Sequence, residues 1–181
     1  MAGIKPTIKG IFVNSHIRAV EKQLGNKGVQ ELTARYGKPM KFRNSESVPV
    51  AEEIKIIEYA LDILSKEPIP ARERSFEAGR LHFRNFSSTP LARIVFSIFR
   101  KDFRLMMQKA QHIAGHVFQG IKFSTEDVGT NKIKVIMENN DYPLEHFRGL
   151  FYEWLHFAGS IGTVEGKQIT SDTFEYTITW Q

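Results

Sequence analysis

Near residue 118 the rhythm of apolar side chains switches from a helical repeat to a two-residue repeat. Beyond that point Ile121, Phe123 and Thr125 alternate with polar neighbours, Gly129-Thr130-Asn131 supplies a turn, and Ile133, Val135 and Met137 alternate again. Successive strand residues face opposite sides of a sheet, so this pattern predicts a β-hairpin with one buried face. Asn139-Asn140-Asp141 ahead of Pro143 opens a helix, and Phe147, Leu150, Phe151, Trp154, Leu155 and Ala158 give it a broad apolar face ending near Gly159 or Gly162. Val164 and Ile169 flank a weaker strand, whereas Phe174, Tyr176, Ile178 and Trp180 alternate strictly to the end. Residues 117–181 therefore read as ββαββ, an antiparallel sheet with its helix packed on one face.

Residues 1–116 keep the helical repeat. Asn14 can cap a helix carrying Ile17, Val20 and Leu24 to Gly25, and Asn26 can cap a second carrying Val29, Leu32 and Tyr36 to Gly37, together an αα-hairpin. A polar loop is expected over 38–47, followed by a helix over 50–66. There Glu52 and Glu53 favour the positive N-terminal end, and Val50, Ile54, Ile57, Leu61 and Leu64 line one face. After Pro68-Ile69-Pro70, Phe76, Gly79, Phe83 and Phe86 mark another helix. Thr89-Pro90 starts one with Leu91, Ile94, Val95 and Ile98 inside, and Met106, Met107, Ala110, Ile113 and Ala114 continue to Gly115. The fold class is α+β: one domain, 1–181, with a helical part followed by the sheet unit.

A chain of 181 residues is long enough to bury a core without staples. It has no cysteine, which excludes disulfides, thiolate metal sites and thiol catalysis and fits a reducing, cytoplasmic setting. No apolar run marks a signal peptide or a transmembrane segment. The net charge of +5 is uneven, because Pro68–His112 holds nine basic residues against three acidic ones. The excess positive charge thus sits in the central helices.

Lys9-Gly10-Ile11-Phe12, Phe76-Glu77-Ala78-Gly79-Arg80, Tyr142-Pro143 and the terminal Phe174-Glu175-Tyr176-Thr177-Ile178-Thr179-Trp180 resemble, in their order and spacing, an uncharacterised paralogous family prominent in myxobacteria, the DUF2378 type. Helices followed by ββαββ are also similar in plan to haem-nitric-oxide-binding (H-NOX) domains, vinyl-reductase domains and the small subunits of TRAPP tethering complexes. The resemblance implies a ligand-binding or assembly scaffold, homodimeric through its helices. The corresponding function is a non-enzymatic regulatory module for small-molecule sensing or protein–protein adaptation in bacterial signalling.

Candidate site residues are few. Arg80, Arg84, Arg93, Arg100 and Arg104 form a guanidinium-rich group suited to carboxylate or phosphate, hence to an anionic small ligand or an acidic protein partner. The same residues fit a solvated face, and if the helix over 93–104 is continuous, Arg93, Arg100 and Arg104 share a stripe. A nucleic-acid-binding regulator using these helices is the alternative, disfavoured because no basic run interleaves with aromatics in the strands. A haem gas sensor would need an axial histidine on the helix before the sheet, where His112 stands four residues from His116, and a Tyr-x-Ser-x-Arg clamp, which is absent. No cofactor and no metal is therefore expected. His16, His82, His146 and His156 stand isolated in sequence, and Glu126-Asp127 reads as a solvated turn. No nucleophile elbow, phosphate loop or dinucleotide fingerprint occurs, so no catalytic residue is assigned.

Overall fold

The computed structural model describes residues 5–99 and 102–181. Strand β1 (Thr7–Lys9) runs straight into helix α1 (Gly10–Tyr36), which begins four residues before the expected cap. Asn14 lies inside the helix, and its Nδ2 donates to the Phe42 carbonyl at 2.9 Å instead of capping. Gly25 breaks α1 with φ 64° and ψ −159°, backbone angles that favour a residue lacking Cβ. A Cβ placed on Gly28 would lie 2.9 Å from Val20 Cγ1. Eight residues along a straight helix span about 12 Å, so the second arm folds back on the first as the expected hairpin.

Strand β2 (Ser47–Pro49) pairs antiparallel with β1 and leads into α2 (Val50–Leu64). Helix α2 buries Val50, Glu53, Ile56, Ile57, Ala60 and Leu61, while Ile54 and Leu64 are only half-buried. The inward face is thus turned by one residue from the expected one, and it brings Glu53 inside. Helix α3 (Ala71–Ser87) follows, then α4 (Pro90–Phe99), where Thr89 Oγ1 accepts from the Ala92 N–H at 3.3 Å as an N-cap. Helix α5 (Phe103–Val117) is separate: Asp102 has an extended backbone and its carboxylate accepts from the Leu105 N–H at 2.8 Å. Helices α4 and α5 are therefore not one continuous helix, and Arg93 and Arg104 do not share a helical stripe. Strand β3 (Phe118–Gln119) returns to the open side of β1, making a three-stranded sheet in the order β2-β1-β3.

The second sheet is the expected ββαββ unit. It contains β4 (Lys122–Gly129), β5 (Lys132–Glu138), β6 (Gly162–Gln168) and β7 (Phe174–Trp180), all antiparallel in the order β4-β5-β7-β6, with α6 (Leu144–Phe157) between β5 and β6. Val135 stands opposite Tyr176 and Ile133 opposite Ile178, and all four are fully buried on the face covered by α6. Ile169 falls beyond β6 and is exposed.

Helices α3 and α6 cross in near-backbone contact. A Cβ on Gly79 would collide with the His146 carbonyl, and a Cβ on Gly149 would collide with the Phe76 carbonyl. Only glycine permits this approach. Because His82 lies one turn after Gly79 and His146 one turn before Gly149, the crossing sets the two imidazoles against each other.

Candidate functional site

The four described arginines of the candidate group do not form one patch. Arg80 Nε donates to Glu153 at 2.7 Å and its Nη1 to Glu77 at 3.0 Å, and the guanidinium covers the Tyr152 ring. Arg104 donates to Asp127 at 3.1 Å and to the Gly129 carbonyl at 2.8 Å, tying α5 to the β4–β5 turn. Arg100 lies outside the described residues. Arg84 and Arg93 do share a hollow of about 500 Å³, with Arg18 and Lys22 of α1 and with Asn85 and Thr89, and no acidic side chain lines it among the described residues. Arg84 also reaches Glu153 at 3.8 Å.

Beneath that hollow lies a site the sequence did not reveal. His16 of α1, Glu53 of α2, His82 and Asn85 of α3 and His146 of α6 meet in the interior, each at most 5% exposed. His16 Nε2 is 2.6 Å from Glu53 Oε1, and its Nδ1 is 3.0 Å from Asn85 Nδ2. Since the amide nitrogen donates, the ring proton sits on Nε2 and is given to Glu53. His82 Nδ1 is 3.0 Å from His146 Nε2 and 3.6 Å from Glu53 Oε1. Glu53 Oε2 and the Tyr142 hydroxyl, both buried, make no well-formed hydrogen bond, although the hydroxyl lies close enough to interact with the Glu53 carboxylate.

Burial opposes ionisation of Glu53, but the His82, His16 and His146 rings around it prevail and hold its carboxyl down to about 2. Burial pulls His82 down to about 4, against the attraction of Glu53, and pulls His146 down to about 3 with help from His82. Both imidazoles are thus neutral at neutral pH. Burial, and then the Glu53 charge, raise the Tyr142 phenol well above its ordinary range. The interior therefore holds a carboxylate with an open lone pair, paired with His16 and flanked by the neutral imidazoles of His82 and His146, a set of metal-ligand and proton-transfer atoms.

On the other side of His82 is a small apolar slot of about 50 Å³ between α3, α5 and α6, lined by Phe83, Ala110, Ile113, Ala114, Phe147 and Trp154 among others. Helix α5 turns Ala110 and Ala114 inward and leaves His112 and His116 exposed. Haem does not fit here. Cofactor pockets run to about 300–1,000 Å³, and α5 offers the slot no axial ligand. His112, the axial candidate only if haem were bound, is turned to solvent by the helical phase of α5. His156 is exposed at the end of α6. Sequence reasoning passed over His16, Glu53, His82 and His146 because each sits on a different element. Their signal was position, a titratable residue within an apolar stripe, as His16 is between Phe12 and Val20.

The fold has relatives among solved structures. A double variant of Tt H-NOX is similar at 16% identity and a TM-score of 0.70, covering 96% of this chain and 95% of that one. An oxygen-binding H-NOX domain related to soluble guanylate cyclases, in its oxygen complex, is similar at 16% identity and a TM-score of 0.68, with coverages of 96% and 95%. The Fe(II) unliganded H-NOX protein from K. algicida is similar at 11% identity and a TM-score of 0.64, with coverages of 96% and 97%. At such identities the likeness shows a shared H-NOX-like fold and nothing of the chemistry. No curated protein matches the sequence. The family described as "Protein of unknown function (DUF2378)" matches residues 4–181, which agrees with the motifs read from the sequence, and the chain belongs to that family.

Proposed function

We propose that this chain is a non-enzymatic regulatory domain that senses a small apolar molecule in the slot between α3, α5 and α6. The observation that carries the reading is an aromatic-lined space inside an H-NOX-like fold, bounded by His82 as the one ionisable side chain among the described residues that line it. About 50 Å³ holds a molecule of a few heavy atoms, and apolar cavities of this kind stay dry and take up xenon or small hydrocarbons. The family resemblance supports a cytoplasmic, homodimeric signalling module. Among the described residues no helix is long and apolar enough to cross a membrane. Xenon titration followed by NMR tests the reading. Saturable shifts at methyls of Ile113 and Leu150, abolished in Ala110→Leu, are expected. Shifts that never saturate, or that persist unchanged in Ala110→Leu, would reject it.

The hollow of Arg18, Lys22, Arg84 and Arg93 favours a second ligand class, a small anion. Calorimetry with inorganic phosphate and with a nucleoside monophosphate checks this, with binding expected to weaken in Arg84→Ala and in Arg93→Ala. Retention on duplex DNA that fades with salt and depends on the same arginines would instead favour the nucleic-acid reading.

A further inference from the structure

We infer that His16, Glu53 and His82 bind a divalent transition-metal ion of the zinc type, and that His146, 3.0 Å from His82 but outside this compact group, swings in as the fourth ligand. This is independent of what occupies the apolar slot. One donor atom from each of the first three residues lies within 4.8 Å of the others, and all three residues are buried. In a tetrahedral site with bonds of about 2.0–2.2 Å, neighbouring donors stand roughly 3.3 Å apart. The spacings here bracket that value: 2.6 Å for His16 Nε2 to Glu53 Oε1, 3.6 Å for His82 Nδ1 to Glu53 Oε1, and 3.0 Å for His146 Nε2 to His82 Nδ1. An ion is accommodated when the His16–Glu53 pair opens and His146 moves toward the other three donors.

A second observation points to a ligand. Glu53 Oε2 is wholly buried and makes no well-formed hydrogen bond, not even with the neighbouring Tyr142 hydroxyl. Leaving a buried carboxylate oxygen bare is costly, and a cation bound to the carboxylate removes the cost. Three imidazoles and one carboxylate, with no thiolate, form a donor set suited to zinc, iron, nickel or copper rather than to calcium or magnesium. A closed set of four protein ligands favours zinc. Asn85 supports the first ligand. When Nε2 of His16 binds the ion its proton resides on Nδ1, and a half-turn of the Asn85 amide presents Oδ1 to accept it. The exposed His112 and His116, paired on α5 alone, are not part of this set.

Such an ion would join α1, α2, α3 and α6 at one point. The test uses tag-free full-length protein, denatured, stripped of metal and refolded with Zn²⁺ or Co²⁺ alone. Elemental analysis and native mass spectrometry are expected to give one zinc per chain, and the cobalt form is expected to show the intense visible bands of tetrahedral Co²⁺. Glu53→Gln, which removes the charge but keeps the shape, is expected to weaken metal binding by at least about tenfold while the circular dichroism stays native. The double variant His112→Ala/His116→Ala is expected to keep the full metal content and the same cobalt spectrum. A refolded wild type without zinc and without cobalt bands overturns the inference whether or not any variant folds. So does an unchanged metal affinity in Glu53→Gln, or metal lost on removal of the exposed histidine pair.

Discussion

On the sheet side, the fully buried residues are Ile133, Val135, Met137, Tyr176 and Ile178, and the one hydroxyl among them, that of Tyr176, donates to the Leu144 carbonyl at 3.3 Å. Among the helices, the interior holds His16, Glu53, His82, Asn85 and His146, and two of the polar atoms there, Glu53 Oε2 and the Tyr142 hydroxyl, make no well-formed hydrogen bond. One region is organised for stability and the other tolerates a polar cluster that apolar residues of similar size would match or exceed in stability. Natural proteins depart from good packing chiefly at sites of function, which is why the helical interior carries the functional proposals.

Four measurements would sharpen or break this contrast. The largest effect is expected where the two regions are pressed together. Gly149→Leu should cost more than about 4 kcal/mol or prevent folding, because its side chain must displace the Phe76 backbone. Urea unfolding reads this, and a mild loss would mean that α3 and α6 can separate freely. Next, Ile178→Ala on the sheet face should cost about 2–5 kcal/mol. In the metal-free protein, Glu53→Gln should cost about 3 kcal/mol near pH 7 and little at a pH low enough to protonate the carboxyl, because it removes the one charge the buried imidazoles surround. A cost for Glu53→Gln that does not change with pH, like that of Ile178→Ala, would erase the distinction.

The third measurement is a pH profile of the metal-free protein. With folded-state values of about 4 and about 3, His82 and His146 bind fewer protons folded than unfolded. Stability is then present above the unfolded histidine range and is lost as the pH falls toward the folded values. The expected loss is about 2 kcal/mol per histidine between pH 7 and pH 5, given an unfolded value near 6.5. Glu53 adds a further loss as the pH falls below about 4.5 toward its folded value of about 2. Melting in buffers of equal ionic strength checks it, and a flat profile from pH 7 to 5 would show that water reaches the cluster. The smallest effects belong to the surface: Arg80→Ala should cost about 1 kcal/mol through its lost pairs with Glu77 and Glu153, and Arg93→Ala less than about 0.5.

The sheet was legible because Ile133-Val135-Met137 and Phe174-Tyr176-Ile178-Trp180 alternate for long enough to fix which side faces inward. The helices α2, α3 and α6 were legible for the corresponding helical reason. β1, β2 and β3 were not, since strands of two or three residues carry no period, and their pairing is fixed by contacts distant in sequence. The division between α4 and α5 turns on the Asp102 cap, which the apolar pattern alone does not reveal. The buried polar cluster was hidden for a subtler reason. Glu53 follows Glu52 at a helix start, where acidic residues usually serve the helix dipole. Only a turn of the helix by one residue, set by tertiary packing, takes one of the pair inside and leaves the other at the surface.

The smaller sheet acts as a clasp. Ile8 of β1 is paired on one side with Val48, immediately before α2, and on the other with Phe118, immediately after α5. Three helices are thereby buckled at one point, so a push that slides α5 along its axis reaches the starts of α1 and α2 through peptide bonds and sheet pairing, without passing through any side chain.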